Sequence, residues 1–177
     1  MIIKNLSQTG NKNLRKKSIA VLDVNSKKIK ATIRDLIDSL QYHNIIGIAA
    51  PQIDKNIRIF ISEIRKTPSR NPKNTDKLRI YINPKIIWKS KKEVTDHEGC
   101  GSVVYGKLFG PVKRPSGVII EAIDQNGEKF ELRAGGLLSR VIQHEYDHLD
   151  GILFTDKLTD VKKILSREEY LNKFTKR

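Results

Sequence analysis

One cysteine, one methionine and one tryptophan occur in 177 residues, and no apolar run approaches the ~20 residues of a membrane span. The single thiol, Cys100, excludes an intrachain disulfide, so the chain reads as intracellular with that thiol free for a metal or for chemistry. No continuous apolar segment of the signal-peptide kind opens the sequence. Residues 1 to 18 contain no acid, but the stretch is too brief to favour a transit peptide, and the cytoplasm is the expected location. Aromatic residues make up only 6% of the chain, and no nucleic-acid motif is present. The formal net charge of +14 therefore reads as a general surface bias, permitting contact with ribosomes, rather than as a groove for sequence-specific nucleic acid; no membrane partner is expected. Length suggests one domain, residues 1 to 177, large enough for a core without crosslinks.

What the sequence does have is concentrated in Gly136 to Gly151, GLLSRVIQHEYDHLDG. At 3.6 residues per turn, His144 and His148 stand one above the other on a helix face, where two imidazoles grip one metal ion. Glu145, one residue past the first of them, can face a metal-bound water and take its proton. Apolar residues run nearly all round this helix: Leu137 and Val141 lie with the histidines, and Leu138, Ile142 and Leu149 form a second stripe. That pattern describes a helix buried in the core. A catalytic metal takes three protein ligands and keeps a position open. Cys100, the sole thiol, bracketed by Gly99 and Gly101, is the best candidate for the third; His97 competes, as do Glu168 and Glu169 in the manner of zinc proteases that use a downstream glutamate.

Elsewhere the patterning is that of an α+β protein, with mixed or antiparallel β-sheets around the buried HExxH helix. Ser26 is a plausible N-cap for an amphipathic helix reaching Tyr42, with Ile29, Ile33, Leu36, Ile37 and Leu40 at helical spacing. His43 at its end suits the helix dipole better than a metal. Residues 56 to 64 alternate as a strand, with Ile57, Ile59 and Ile61 on one side. Residues 65 to 77 read as an exposed loop. Leu78 to Ile82 reads as a strand stopped by Asn83 and Pro84, and Ile86 to Trp88 as a third, short one. Tyr105 to Pro115 reads as a Gly/Pro-rich loop, residues 118 to 134 as a hairpin turning at Gln125 to Gly127, and Val161 to Phe174 as a helix with a basic end.

Three blocks, in order, carry a resemblance: Gly47 to Gln52 (GIAAPQ), Glu98 to Ser102 (EGCGS) and Gln143 to His148 (QHEYDH). With Gly10 to Arg15, Asn83-Pro84 and Gly136 to Leu138 in support, the chain resembles the peptide deformylases over nearly its whole length. The resemblance implies removal of the formyl group from N-terminal formylmethionine of nascent polypeptides, releasing formate. It implies Cys100, His144 and His148 as ligands of one divalent metal ion, natively ferrous iron, with zinc, nickel or cobalt able to take the same site. It implies Glu145 as the acid/base group, the Gln52 side chain and the Gly101 backbone N–H as oxyanion donors, and a methionine pocket at Ile46, Gly47, Leu137 and Val141, rimmed by Tyr105 to Phe109. Arg114 matches an arginine near the peptide cleft. Glu98, if buried, needs a cation such as Arg114 or Arg140.

The chain departs from the family pattern at three places. Ile45 stands where many members carry a glycine. Gly101 replaces the usual leucine, which keeps the backbone N–H but implies a looser loop and slower turnover. Residues 103 to 113 read as a short insertion behind it. The competing functions are a zincin-type peptidase using a glutamate ligand and a basic ribosome-associated protein whose metal is structural; the former needs Glu168 or Glu169 at the metal, the latter a fourth protein ligand.

Overall fold

The computed structural model describes residues 4–67 and 70–174. Its first long element is helix α1 (Lys27–Tyr42), capped by Ser26, whose side chain accepts from Ile29 N. Strands β1 (Gly47–Ala49), β2 (Ile59–Ile64), β3 (Asp76–Lys89), β6 (Gly117–Ile123) and β7 (Lys129–Gly135) form one sheet in the order β1-β2-β3-β6-β7. β4 (Glu93–Gly99), β5 (Leu108–Pro115) and β8 (Leu165–Ser166) form a second sheet in the order β4-β5-β8. Every pairing between these strands is antiparallel. Helices α2 (Gly136–Leu149) and α3 (Arg167–Phe174) complete the α+β architecture. No helix among the described residues is long and apolar enough to cross a membrane.

The period-2 alternation of the strands divides the core. Ile59, Ile61, Ile80 and Ile82 face α1, where Leu36 and Leu40 are wholly buried with them. The residues between, Phe60 and Tyr81, face the other way and meet Ile142 and Leu149 of α2. Their rings stack at 4.3 Å between centroids, directly opposite one another in the β2–β3 register. The large sheet is thus held between two helices, and α2 lies between it and the small sheet that ends in Cys100.

Three local expectations are corrected by tertiary pairing. β3 is one strand through Asn83-Pro84, not two. Its register breaks between Ile82 and Lys85, Asn83 takes a left-handed φ of 50°, and its side-chain amide brackets the Val21 backbone, accepting from N and donating to O at 2.8 Å each. A bulge is where a strand tolerates proline. Residues 108 to 115 form a strand, not a loop, because β4 pairs with residues 109 to 115 and β8 with residues 108 and 109. The C-terminal segment is a 3-10 turn at Val161–Lys163, then β8, then the short α3, so helical spacing there overstated the helix.

The buried Phe60–Tyr81 stack sets an expectation for stability. Phe60→Ala should cost about 3–5 kcal/mol, read as a lower urea midpoint at unchanged m-value.

Candidate metal centre

Cys100 leaves the end of β4 while His144 and His148 project from α2, and their donor atoms all lie within 4.8 Å of one another. Cys100 Sγ is 3.2 Å from His148 Nε2. This is the one such trio among the described residues. The other candidates are placed elsewhere. His97 packs on Tyr170 and Phe174, with Nε2 3.3 Å from Lys163 O, and Glu168 and Glu169 are exposed on α3. The fit of the trio to a metal rests on its own chemistry: one thiolate and two imidazoles suit zinc, iron, nickel or cobalt rather than magnesium or calcium, and three protein donors leave a coordination position open.

The Glu98 carboxylate, on the same strand end, is buried and fully engaged. Arg114 grips it through two bonds of 2.6 and 2.8 Å, Arg140 through a third of 2.7 Å, and His144 Nδ1 lies 2.9 Å from Oε2. Arg114 also reaches Asp147 at 2.7 Å, and Lys157 closes the network on the other Asp147 oxygen at 2.7 Å. Burial works against the Glu98 charge, yet bonds from Arg114 and His144 win and hold its carboxyl well below the usual range. Burial likewise opposes charging His144, but Cys100 and Glu98 raise its pKa. His148, desolvated and beside His144, is lowered well below the ordinary value, which keeps a lone pair free. The Glu98 contact leaves the Nε2 of His144 as the nitrogen available for a metal.

Glu145 sits one residue beyond, buried, with Oε2 lacking any hydrogen-bond partner. Burial pushes its carboxyl up to about 7. Its other oxygen lies against β1: a Cβ built on Gly47 would meet Glu145 Oε1 at 2.5 Å and Val141 Cγ1 at 2.8 Å. The glycine is what lets the strand and the helix approach. Gln52 closes the site from a 3-10 turn at Ala50–Ile53. Its Oε1 accepts from Ala49 N at 2.8 Å, and its Nε2 donates to Ser102 Oγ at 3.2 Å and lies 3.5 Å from Cys100 Sγ. The amide is therefore fixed with its N–H side toward the thiol.

These groups line a cavity of about 530 Å³ whose wall includes Ile46, Gly47, Leu137, Val141, Gly101, Tyr105 and Phe109. Arg114 is corrected: it is 3% exposed, does not line this cavity, and serves Glu98 and Asp147 from β5. Arg140 is the arginine of that network on the cavity wall. At Gly101 the space left by the missing side chain is filled. Gln8 Nε2 donates to Gly101 O at 2.9 Å, and the Leu6 side chain occupies the space a residue-101 side chain would take. Leu6, Asp147 and Lys157 were not singled out from sequence. Asp147 carried a signal, an acid on a helix apolar nearly all round; Leu6 carried none.

An HExxH helix joined by a thiol defines a metal-dependent hydrolase centre, a narrower class than the helix alone. The polypeptide deformylase family model matches residues 3–164, and the chain belongs to that family. It is 41% identical to peptide deformylase 1 of Clostridium perfringens over 156 residues, 88% of this chain and 98% of the relative. It is 36% identical over 168 residues to the peptide deformylase of Dictyoglomus thermophilum, covering 95% and 99% of the two chains. Among solved structures, the class I type b peptide deformylase of Acinetobacter baumannii, in its Met-Ala-Ser-bound crystal form, superposes with a TM-score of 0.84 at 28% identity, over 89% of this chain and 99% of that one.

Neutralising Glu98 tests the network. Glu98→Gln leaves Arg114 and Arg140 short of an anion, and about 3–5 kcal/mol of folding stability should be lost. Loss of the carboxylate contact to His144, one of the three residues that could hold a metal, should weaken zinc affinity about 10–100-fold, measured by competition with a chromophoric chelator.

Proposed function

We propose that Cys100, His144 and His148 hold one divalent ion, ferrous iron in the cell, and that Glu145 handles the proton in removing the formyl group from N-terminal formylmethionine. The observation that carries this reading is the meeting of the thiol with both HExxH imidazoles in one buried trio. Such an ion supplies Lewis acidity, lowering the pKa of bound water from ~15.7 to about 7. Glu145 accepts the water proton on its unpartnered oxygen and passes it to the amine as the C–N bond breaks, leaving formate and a free N-terminus. A carboxyl raised to about 7 suits both halves of that transfer. The locked Gln52 amide and the Gly101 N–H donate to the oxyanion that develops on the formyl oxygen, each worth roughly 10²–10³ in rate. Ile46, Leu137 and Val141 receive the methionine side chain. The Met-Ala-Ser peptide bound by the Acinetobacter relative supports this use of the cavity.

A reaction on nascent chains puts the protein in the cytoplasm beside ribosomes. The basic C-terminal segment, Lys173, Lys176 and Arg177, is the proposed contact; residues 175 to 177 lie outside the described residues. Truncation of residues 160 to 177 would also remove Tyr170, which stacks on Phe109 of the cavity wall at 4.2 Å. Charge reversal of the three cations is the cleaner variant, and it should reduce co-sedimentation with ribosomes at low salt.

Protein purified anaerobically with iron should release formate from formyl-Met-Ala-Ser, and Glu145→Ala should lower the rate by about 10²–10⁴. No formate above the Glu145→Ala background would overturn the assignment. Cys100→Ala should lose stoichiometric metal by elemental analysis; retained metal with full activity would sink the ligand set.

A further inference from the structure

The N-terminal arm ahead of the first turn runs between two of the three site blocks and is bonded to both. Ser7 N donates to Gln52 O at 2.8 Å, and Thr9 N to Ser102 O at 2.8 Å. Between them the Gln8 side chain spans Gly101 O at 2.9 Å and Tyr105 N at 2.9 Å. These four bonds fix the arm in register with the Cys100 loop, and they present Leu6 to the cavity. Leu6 is half-buried, lines the same cavity as Cys100, Gln52 and Glu145, and packs against the α1-facing core. A Cβ on Gly101 would stand 2.4 Å from Leu6 Cδ1. One volume beside the thiol thus has two potential owners. Here the arm fills it and the loop residue is reduced to backbone.

We propose that Leu6 is a specificity-determining residue: it supplies, from the N-terminal arm, the apolar wall over Gly101 that seats the peptide substrate beside Cys100. The proposal rests on the deformylase reading for its substrate. Leu6 touches the bound peptide and no reacting atom, so its loss lowers affinity without slowing chemistry. Because the two positions compete for one space, their substitutions are coupled.

The experiment is a double-mutant cycle on the iron-loaded full chain, reading KM and kcat for formyl-Met-Ala-Ser, the calorimetric Kd for Met-Ala-Ser, and Tm. Leu6→Ala should raise KM and Kd about tenfold with kcat within about twofold. Gly101→Leu alone should lower Tm and kcat/KM through the clash. Combined with Leu6→Ala, it should recover Tm and bring Kd to within about threefold of wild type, the leucine now entering from the loop side. KM and Kd unmoved in Leu6→Ala, or a double variant impaired by the full product of the single effects, would overturn the proposal. A wild type that binds Met-Ala-Ser but releases no formate would instead sink the deformylase reading, and the Kd and Tm cycle would still decide the role of Leu6.

Discussion

A carboxylate buried without compensation is among the costliest things a fold can contain, and the Glu98 side chain is 4% exposed. Its two oxygens are met by Arg114, Arg140 and His144, one from β5 and two from α2. Satisfying this one anion therefore fixes the small sheet against the helix, and with it the distance from Cys100 to the histidines. Replacing such a cluster with apolar residues often leaves stability unchanged or improved. Its value here lies in position: the carboxylate selects which imidazole nitrogen of His144 faces the thiol, and the cations keep that carboxylate ionised. Asp147, one residue before His148, extends the same logic, since it binds the far side of Arg114 and anchors Lys157.

The large sheet imposes the complementary constraint from the other side of α2. Alternation along β2 and β3 sends isoleucines toward α1 and the Phe60–Tyr81 pair toward α2. The helix is thereby pressed on a face that is apolar near its C-terminal half and carries Glu145 toward β1. Gly47 stands where a Cβ would crowd Glu145 Oε1 and Val141 Cγ1. Burial desolvates the Glu145 carboxyl, so the packing that encloses it also lifts its pKa.

How far the sequence could be read follows from where its signals are local. His144, Glu145 and His148 lie within one helical turn and a residue, so periodicity alone stacks them. The α1 helix announces itself by Ser26 and its five spaced aliphatics. Cys100 as partner of the HExxH helix was nameable as the sole thiol, yet His97 remained a rival until the fold turned its ring toward Tyr170 and Phe174. Arg114 shows the converse. An arginine in a Gly/Pro-rich stretch is nameable as a cation for Glu98, but nothing local reveals that β4 pairs with residues 109 to 115 and draws Arg114 off the cavity onto that carboxylate. The bulge at Asn83 belongs to the same class: Pro84 forbids a regular ladder locally, and only the bond to the Val21 backbone, 62 positions earlier in the chain, makes the irregular one stable.

Gly101 carries this furthest. Judged on its neighbours, a glycine pair around a thiol means freedom, and freedom at an oxyanion donor means lost preorganisation. The structure removes that inference without changing a residue of the loop. Leu6 fills the volume and Gln8 ties down the Gly101 carbonyl, so the space that a side chain at 101 would occupy is filled from a segment 95 positions away in sequence. A small residue at a catalytic loop is therefore not evidence of looseness until the space around it has been assigned. In this chain the assignment makes the N-terminal arm part of the site's wall, and it explains how an HExxH–thiol centre tolerates a glycine next to its only cysteine.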